Sequence, residues 1–182
     1  MLQSSSEDAS NFRFPLHQLT NVRSIPHHLK ESEFRDVQYL CAGSNSYVYT
    51  AIQNDELVVV KMLKSKLSNP RVAEQEMEIE MHLLSKIEHP NIISVKGSGR
   101  LPRQFLVVEH LDRGTLSNIL DDPSIFNPDS DFKNGKRLSV KNSLSIARQL
   151  ITALKYLHED LSSNATIIHR GNYFSFFAMI YS

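Results

Sequence analysis

Cysteine is nearly missing from this 182-residue chain, with Cys41 standing alone. An internal disulfide is excluded, and a reducing compartment fits. Neither sign of charge is in excess: 20 Lys and Arg stand against 20 Asp and Glu. That balance leaves no electrostatic footprint for nucleic acid or an anionic membrane as the main partner. Long apolar runs are also lacking. The longest, Tyr173 to Tyr181, is too short to span a bilayer as a helix. The start, Met1 to Ser10, carries Glu7 and Asp8 and resembles neither a secretory signal nor an Arg-rich transit peptide. A cytoplasmic or nuclear setting is expected. No internal repeat is visible, and no His or Cys spacing suits zinc. What remains is ordinary for a globular domain, 41% apolar and 22% charged, with length enough for one real core or for part of a larger one.

Residues 1–33 are polar and without period, which predicts a mobile leader with one short helix near Ile25 to Glu33. Two strands, Asp36 to Ala42 and Tyr47 to Gln53, flank Gly43-Ser44-Asn45-Ser46 and read as a hairpin. Asn54-Asp55 is a second turn before a strand over Glu56 to Leu63. Ser68-Asn69-Pro70 announces a helix running to about Ile87. Further strands are expected at Ile92 to Gly97 and Gln104 to Glu109, and a short helix at Thr115 to Leu120. Asp121 to Arg137 reads as a solvated loop. Ser139 caps a long helix to about Leu161, with Ala147, Leu150, Ile151, Leu154, Leu157 and Leu161 as its apolar stripe. A strand-like stretch begins at Thr166-Ile167-Ile168.

Two charges stand out against this pattern. Lys61 ends the run Leu57-Val58-Val59-Val60 and shares a strand face with Leu57 and Val59. Glu80 falls on the helical stripe of Ala73, Met77, Leu84 and Ile87. Lys61 alone fits a lysine lying along a strand with its head in water. Together they fit an ion pair, because an unpaired charge on a buried face is costly. An anionic ligand such as a nucleotide phosphate would be a second partner for Lys61.

Five strands, a helix after the third, two more helices and Ile167-Ile168-His169-Arg170 resemble the N-terminal portion of a eukaryotic protein kinase domain, over residues 36–170. The resemblance implies an α+β fold: a five-stranded antiparallel sheet with one regulatory helix, then an incomplete helical C-lobe. It divides the chain into the leader (1–33), a small lobe (34–109), a hinge and partial C-lobe (110–170) and a tail foreign to the family (171–182). Leu40-Cys41-Ala42-Gly43-Ser44-Asn45-Ser46-Tyr47-Val48 resembles the glycine-rich loop over ATP phosphates, with Cys41 and Ser46 in the outer glycine positions. Gly43 taken alone fits a plain hairpin turn equally well, and Cys41 an ordinary small residue. Val58-Val59-Val60-Lys61 resembles Val-Ala-Ile-Lys, which implies that Lys61 holds the α- and β-phosphates and that Val59 faces adenine. Glu80 is similar to the helix glutamate that orients this lysine. Val108 would guard the back of the adenine pocket. The carbonyl of Glu109 and the amide and carbonyl of Leu111 would serve adenine at the hinge.

The pattern breaks at Gly171, where the family carries the catalytic aspartate; Phe176 stands where it carries a metal-binding asparagine. No Asp-Phe-Gly follows. Gly171-Asn172 matches GGT AAT, the translation expected if an exon ending in the first base of an Asp codon ran into an intron beginning GTAAT. Residues 171–182 are therefore expected to be translated intron. The resemblance implies a fragment of an ATP-dependent protein kinase, serine/threonine-directed, with Mg bound only in a full-length relative and no metal site here. This chain is expected to be inactive. The alternative is a pseudokinase-like module that binds nucleotide, or competes for or scaffolds partners of the full kinase, without catalysis. ATP, and the substrates or partners of that kinase, are the partners implied.

Overall fold

The computed structural model describes residues 28–100, 102–112 and 139–160. Leader residues 1–27, the helix expected at Thr115–Leu120, the loop 121–137, Leu161, the stretch Thr166–Ile168 and the tail 171–182 lie outside them. A 3-10 turn at Glu31–Glu33 leads into β1 (Arg35–Ala42), β2 (Ser46–Gln53), β3 (Glu56–Leu63), α1 (Pro70–Leu84), β4 (Val95–Gly99), β5 (Phe105–Glu109) and α2 (Val140–Lys155). One wide turn, Tyr156–Asp160, follows α2. The strands form one antiparallel sheet in the order β1-β2-β3-β5-β4, and α1 packs on one face of it. This is the α+β small lobe expected from the sequence. No helix among the described residues is long and apolar enough to cross a membrane.

Local chemistry explains the connections. Asn54 and Asp55 both adopt positive φ, 49° and 63°, which makes the β2–β3 link a two-residue turn whose twist matches the strands. Asn69 caps α1 by accepting from the Val72 amide at 3.3 Å, and Pro70 opens the first turn, where its missing N–H goes unneeded. Ser139 caps α2 by accepting from the Asn142 amide at 3.1 Å.

Several boundaries differ from expectation. Helix α1 ends at Leu84, not Ile87. Ser85 donates its hydroxyl to the His82 carbonyl, and the Ile87 amide bonds the Leu84 carbonyl in a tighter turn; Ile87 nevertheless stays buried. Strand β4 starts at Val95 rather than Ile92. The Ile92 amide bonds His89 and the Asn91 amide bonds His89 Nδ1, so this stretch is a turn. The leader boundary at 33 falls inside packed chain. Leu29 is buried, and its amide donates to the Ser98 carbonyl at 3.0 Å.

The sheet buries both faces. On one, Leu29, Ala51, Val58, Val60, Phe105 and Val107 form a core, closed by Phe34 edge-on to Phe105. On the other, Leu84, Ile87, Ile92, Val95, Leu106 and Val108 meet Ala153 and Leu157 of the α2 segment. Leu63 joins Ala73 and Met77 on this second face. Helix α2 and the turn after it therefore lie against the small lobe through Ala153 and Leu157, both buried. The stripe expected from the sequence is rotated: Ala147 is exposed and Ile151 is 65% exposed, while Leu150 and Leu154 are half-buried. The helix has apolar residues on two sides, and only one side meets the sheet's core.

Candidate functional site

Directly paired residues of a sheet share a face. One row runs Cys41, Val48, Lys61, Leu106, and the next runs Gln38, Thr50, Val59, Val108, Val95. These rows place Val48, Val59, Lys61 and Val108 side by side. A register shift between Tyr39 and Cys41 is what brings Cys41 onto this face, because a bulge reverses the alternation. Leu40 sits at that bulge, 57% exposed.

The valines that flank Lys61 in sequence do not share its surroundings. Val58 and Val60 are buried against the opposite core. Along Lys61's own face burial rises from Leu57, 49% exposed, to half-buried Val59 and Lys61. The lysine thus stands at the margin of the core, not within its most buried side. Its ammonium donates to both carboxylate oxygens of Glu80, at 2.8 and 2.6 Å. The side chains are 31% and 19% exposed, enough desolvation to make the pair stronger than a surface one. Two of the three ammonium protons are used, and one is left for a further acceptor.

The β1–β2 turn lies above the Cys41 and Val48 end of the row. The Gly43 amide bonds the Ser46 carbonyl at 2.8 Å. Ser46 is buried and Ser44 exposed. A methyl group at Gly43 would meet the Ser46 hydroxyl at 3.4 Å and the Ser46 carbonyl at 3.7 Å, both ordinary contacts, so hairpin geometry does not require glycine there. At the far end of β5, Val108 is buried, and Glu109 and Leu111 are half-buried. The Glu109 carboxylate accepts from the Ser94 amide at 2.7 Å, which fixes the strand end just before Leu111.

Sequence reasoning missed the contacts that join the segments. Tyr156 accepts from the Glu88 amide through its hydroxyl and stacks on His89 at 5.0 Å. Asn91 donates to Gln149 of α2 at 3.2 Å. Asn45, on the turn, donates to Glu76 of α1 at 3.2 Å. These residues are polar and on solvated stretches, so no periodicity marks them. A groove of about 360 Å³ lies on the other side of α1, lined in part by Leu63, Pro70, Glu78, Arg100 and Arg103. Neither Lys61 nor Glu80 lines it, and Arg100 is already paired with Glu78 at 2.7 Å. Among the described residues no cluster of three His, Cys, Asp or Glu could hold a metal ion.

A family model for protein tyrosine and serine/threonine kinases matches residues 32–171. The chain is 27% identical over 118 residues to stress-activated protein kinase alpha of Dictyostelium discoideum, covering 65% of this chain and 18% of that protein. It is 31% identical over 141 residues to the MDIS1-interacting receptor like kinase 2 of Arabidopsis thaliana, covering 74% and 12%. It is 29% identical over 149 residues to the dual specificity protein kinase shkC of Dictyostelium discoideum, covering 81% and 26%. The chain thus spans only a minor part of the length of these relatives.

Proposed function

The chain belongs to the protein tyrosine and serine/threonine kinase family, and from that premise we propose that its small lobe is an ATP site in a chain that does not itself transfer phosphate. The bidentate hold of Glu80 on Lys61 carries this reading. It orients a cation with one proton to spare beside the apolar surface of Val48, Val59 and Val108. Lys61 would bind the α- and β-phosphates. Val48 and Val59 would pack on adenine, with Val108 behind it. The main chain of Glu109 and Leu111 would meet its polar edge, and Leu40, Cys41, Gly43, Ser44 and Ser46 would lie over the phosphates. In active relatives magnesium neutralises phosphate charge. The donor set here suits the nucleotide, and no three His, Cys, Asp or Glu of the described residues are grouped to hold a metal ion.

Catalytic silence follows from Gly171. Glycine has no carboxylate to take the proton of an attacking hydroxyl, and Phe176 has no metal-binding oxygen. Positioning by Lys61 and Glu80 does not replace either. A full-length relative with those groups would phosphorylate serine or threonine. The chain should therefore gain thermal stability with MgATP, lose that gain in Lys61→Ala, and show no phosphoryl transfer. Transfer by the pure chain that Lys61→Ala abolishes would overturn the silence. Absence of any nucleotide effect would overturn the ATP site and leave a scaffold or competitor role. We also propose that residues 171–182 are translated intron. Transcripts joining Arg170 to an Asp-Leu-Lys-like exon would support this, and genomic DNA without GT after the first base of codon 171 would exclude it.

A further inference from the structure

Helix α1 touches the candidate site twice on one face. Glu76 and Glu80 are four residues apart and so lie one above the other. Glu80 holds Lys61. Glu76 accepts from Asn45, at the tip of the β1–β2 turn, at 3.2 Å. The same tip is held from β3's end by Lys64. The Lys64 amide donates to the Asn45 carbonyl at 2.9 Å, and its ammonium donates to the Ser44 carbonyl at 3.0 Å while lying 5.4 Å from the centre of the Tyr47 ring. A trans peptide group is planar, with its C=O and N–H pointing opposite ways. Seating the Ser44 carbonyl on Lys64 therefore turns the Asn45 amide away from Lys64 and fixes the orientation of the turn.

We propose that Asn45, Lys64 and Glu76 are positioning residues that latch the phosphate loop to α1, so that one helix sets both the loop and the lysine. The coupling to nucleotide rests on the ATP reading above; the latch itself does not. The loop has serine where the family's outer glycine would stand at position 46 and cysteine at position 41, which leaves it less free to reshape around phosphates unaided. The Asn45 bond to α1 and the Lys64 bonds from the end of β3 supply the placement instead. Asn45 and Glu76 are exposed, so the latch is weak and reversible, as a loop that must admit a ligand requires. A shift of α1 away from the sheet breaks the Glu80 hold on Lys61 and the Glu76 hold on Asn45 together.

The test uses the full chain and two readouts, amide hydrogen exchange over residues 43–47 without ligand and affinity for a fluorescent ATP analogue. Asn45→Asp places a carboxylate against Glu76. It should speed exchange and weaken nucleotide binding by roughly two- to tenfold, the range of one net hydrogen bond. Glu76→Gln keeps an accepting oxygen and should behave like the parent. Combining N45D with E76K restores an attractive pair and should recover both readouts. Unchanged exchange in N45D, or no recovery in the combined variant, would overturn the latch. If no form binds the nucleotide, the ATP reading fails, and exchange alone still decides the latch. Altered exchange with unaltered affinity would reduce the latch to a structural contact and overturn its positioning role.

Discussion

At the scale of the residue, the fold turns on a few side chains whose surroundings differ from those of their neighbours. Lys61 and Glu80 were legible because each breaks a different rhythm. Lys61 interrupts an apolar strand at period two, and Glu80 interrupts an apolar helix stripe at period 3.6. Nothing local marks Gly99. A methyl group there would overlap the Phe105 ring and the Leu29 carbonyl, a crowding set by the strand pairing of Gly99 with Phe105 and by the approach of Leu29 from far off in sequence. The pair makes a stability prediction. Glu80→Ala strands a largely desolvated ammonium and should cost about 1.5–3 kcal/mol, the range for a hydrogen bond to a charged group. Replacing both partners, as K61M with E80L, removes the charges together and should recover most of that loss. Urea unfolding midpoints would check it. A double variant no more stable than Glu80→Ala would mean that the apolar surroundings do not accept the replacements.

At the scale of the element, the strands and the caps were readable and the ends of elements were not. Alternation and turn residues marked β1, β2, β3 and β5 to within a residue or so. The C-terminus of α1 and the start of β4 were misplaced because Ser85, His89 and Asn91 satisfy backbone groups with local bonds, which hydrophobic patterning does not register. The rotation of α2 had a related cause. Apolar residues line two of its sides, and only the sheet's core decides which side is covered. The β2–β3 hairpin offers the cleanest check at this scale. Asn54 holds φ 49°, which costs a side chain with a β-carbon and no local hydrogen bond about 1–2 kcal/mol. Asn54→Ala should therefore destabilise by about 1 kcal/mol, and Asn54→Gly should leave the urea midpoint nearly unchanged. Equal midpoints for Ala and Gly would contradict the turn geometry.

At the scale of the whole molecule, the sheet divides the chain's apolar residues between two jobs. The Val58, Val60, Phe105 and Val107 face is closed by the segment at Leu29 and Phe34 and serves stability. The face of Val48, Val59, Lys61 and Val108 is partly open and is the one proposed to take the nucleotide. Kinase family membership was legible from motif order. The rotation of α2, which leaves Ile151 65% exposed and buries Ala153 in its place, was not, because it depends on packing against the small lobe. The most direct test of the division is a methyl-resolved NMR titration of the valine-labelled chain with MgATP. The methyl groups of Val48, Val59 and Val108 should shift in a saturable way, while those of Val58, Val60 and Val107 stay within noise, and Lys61→Ala should weaken the response. Shifts confined to the Val58, Val60 and Val107 face, or no shifts at saturating nucleotide, would contradict the assignment of this face as the ATP site.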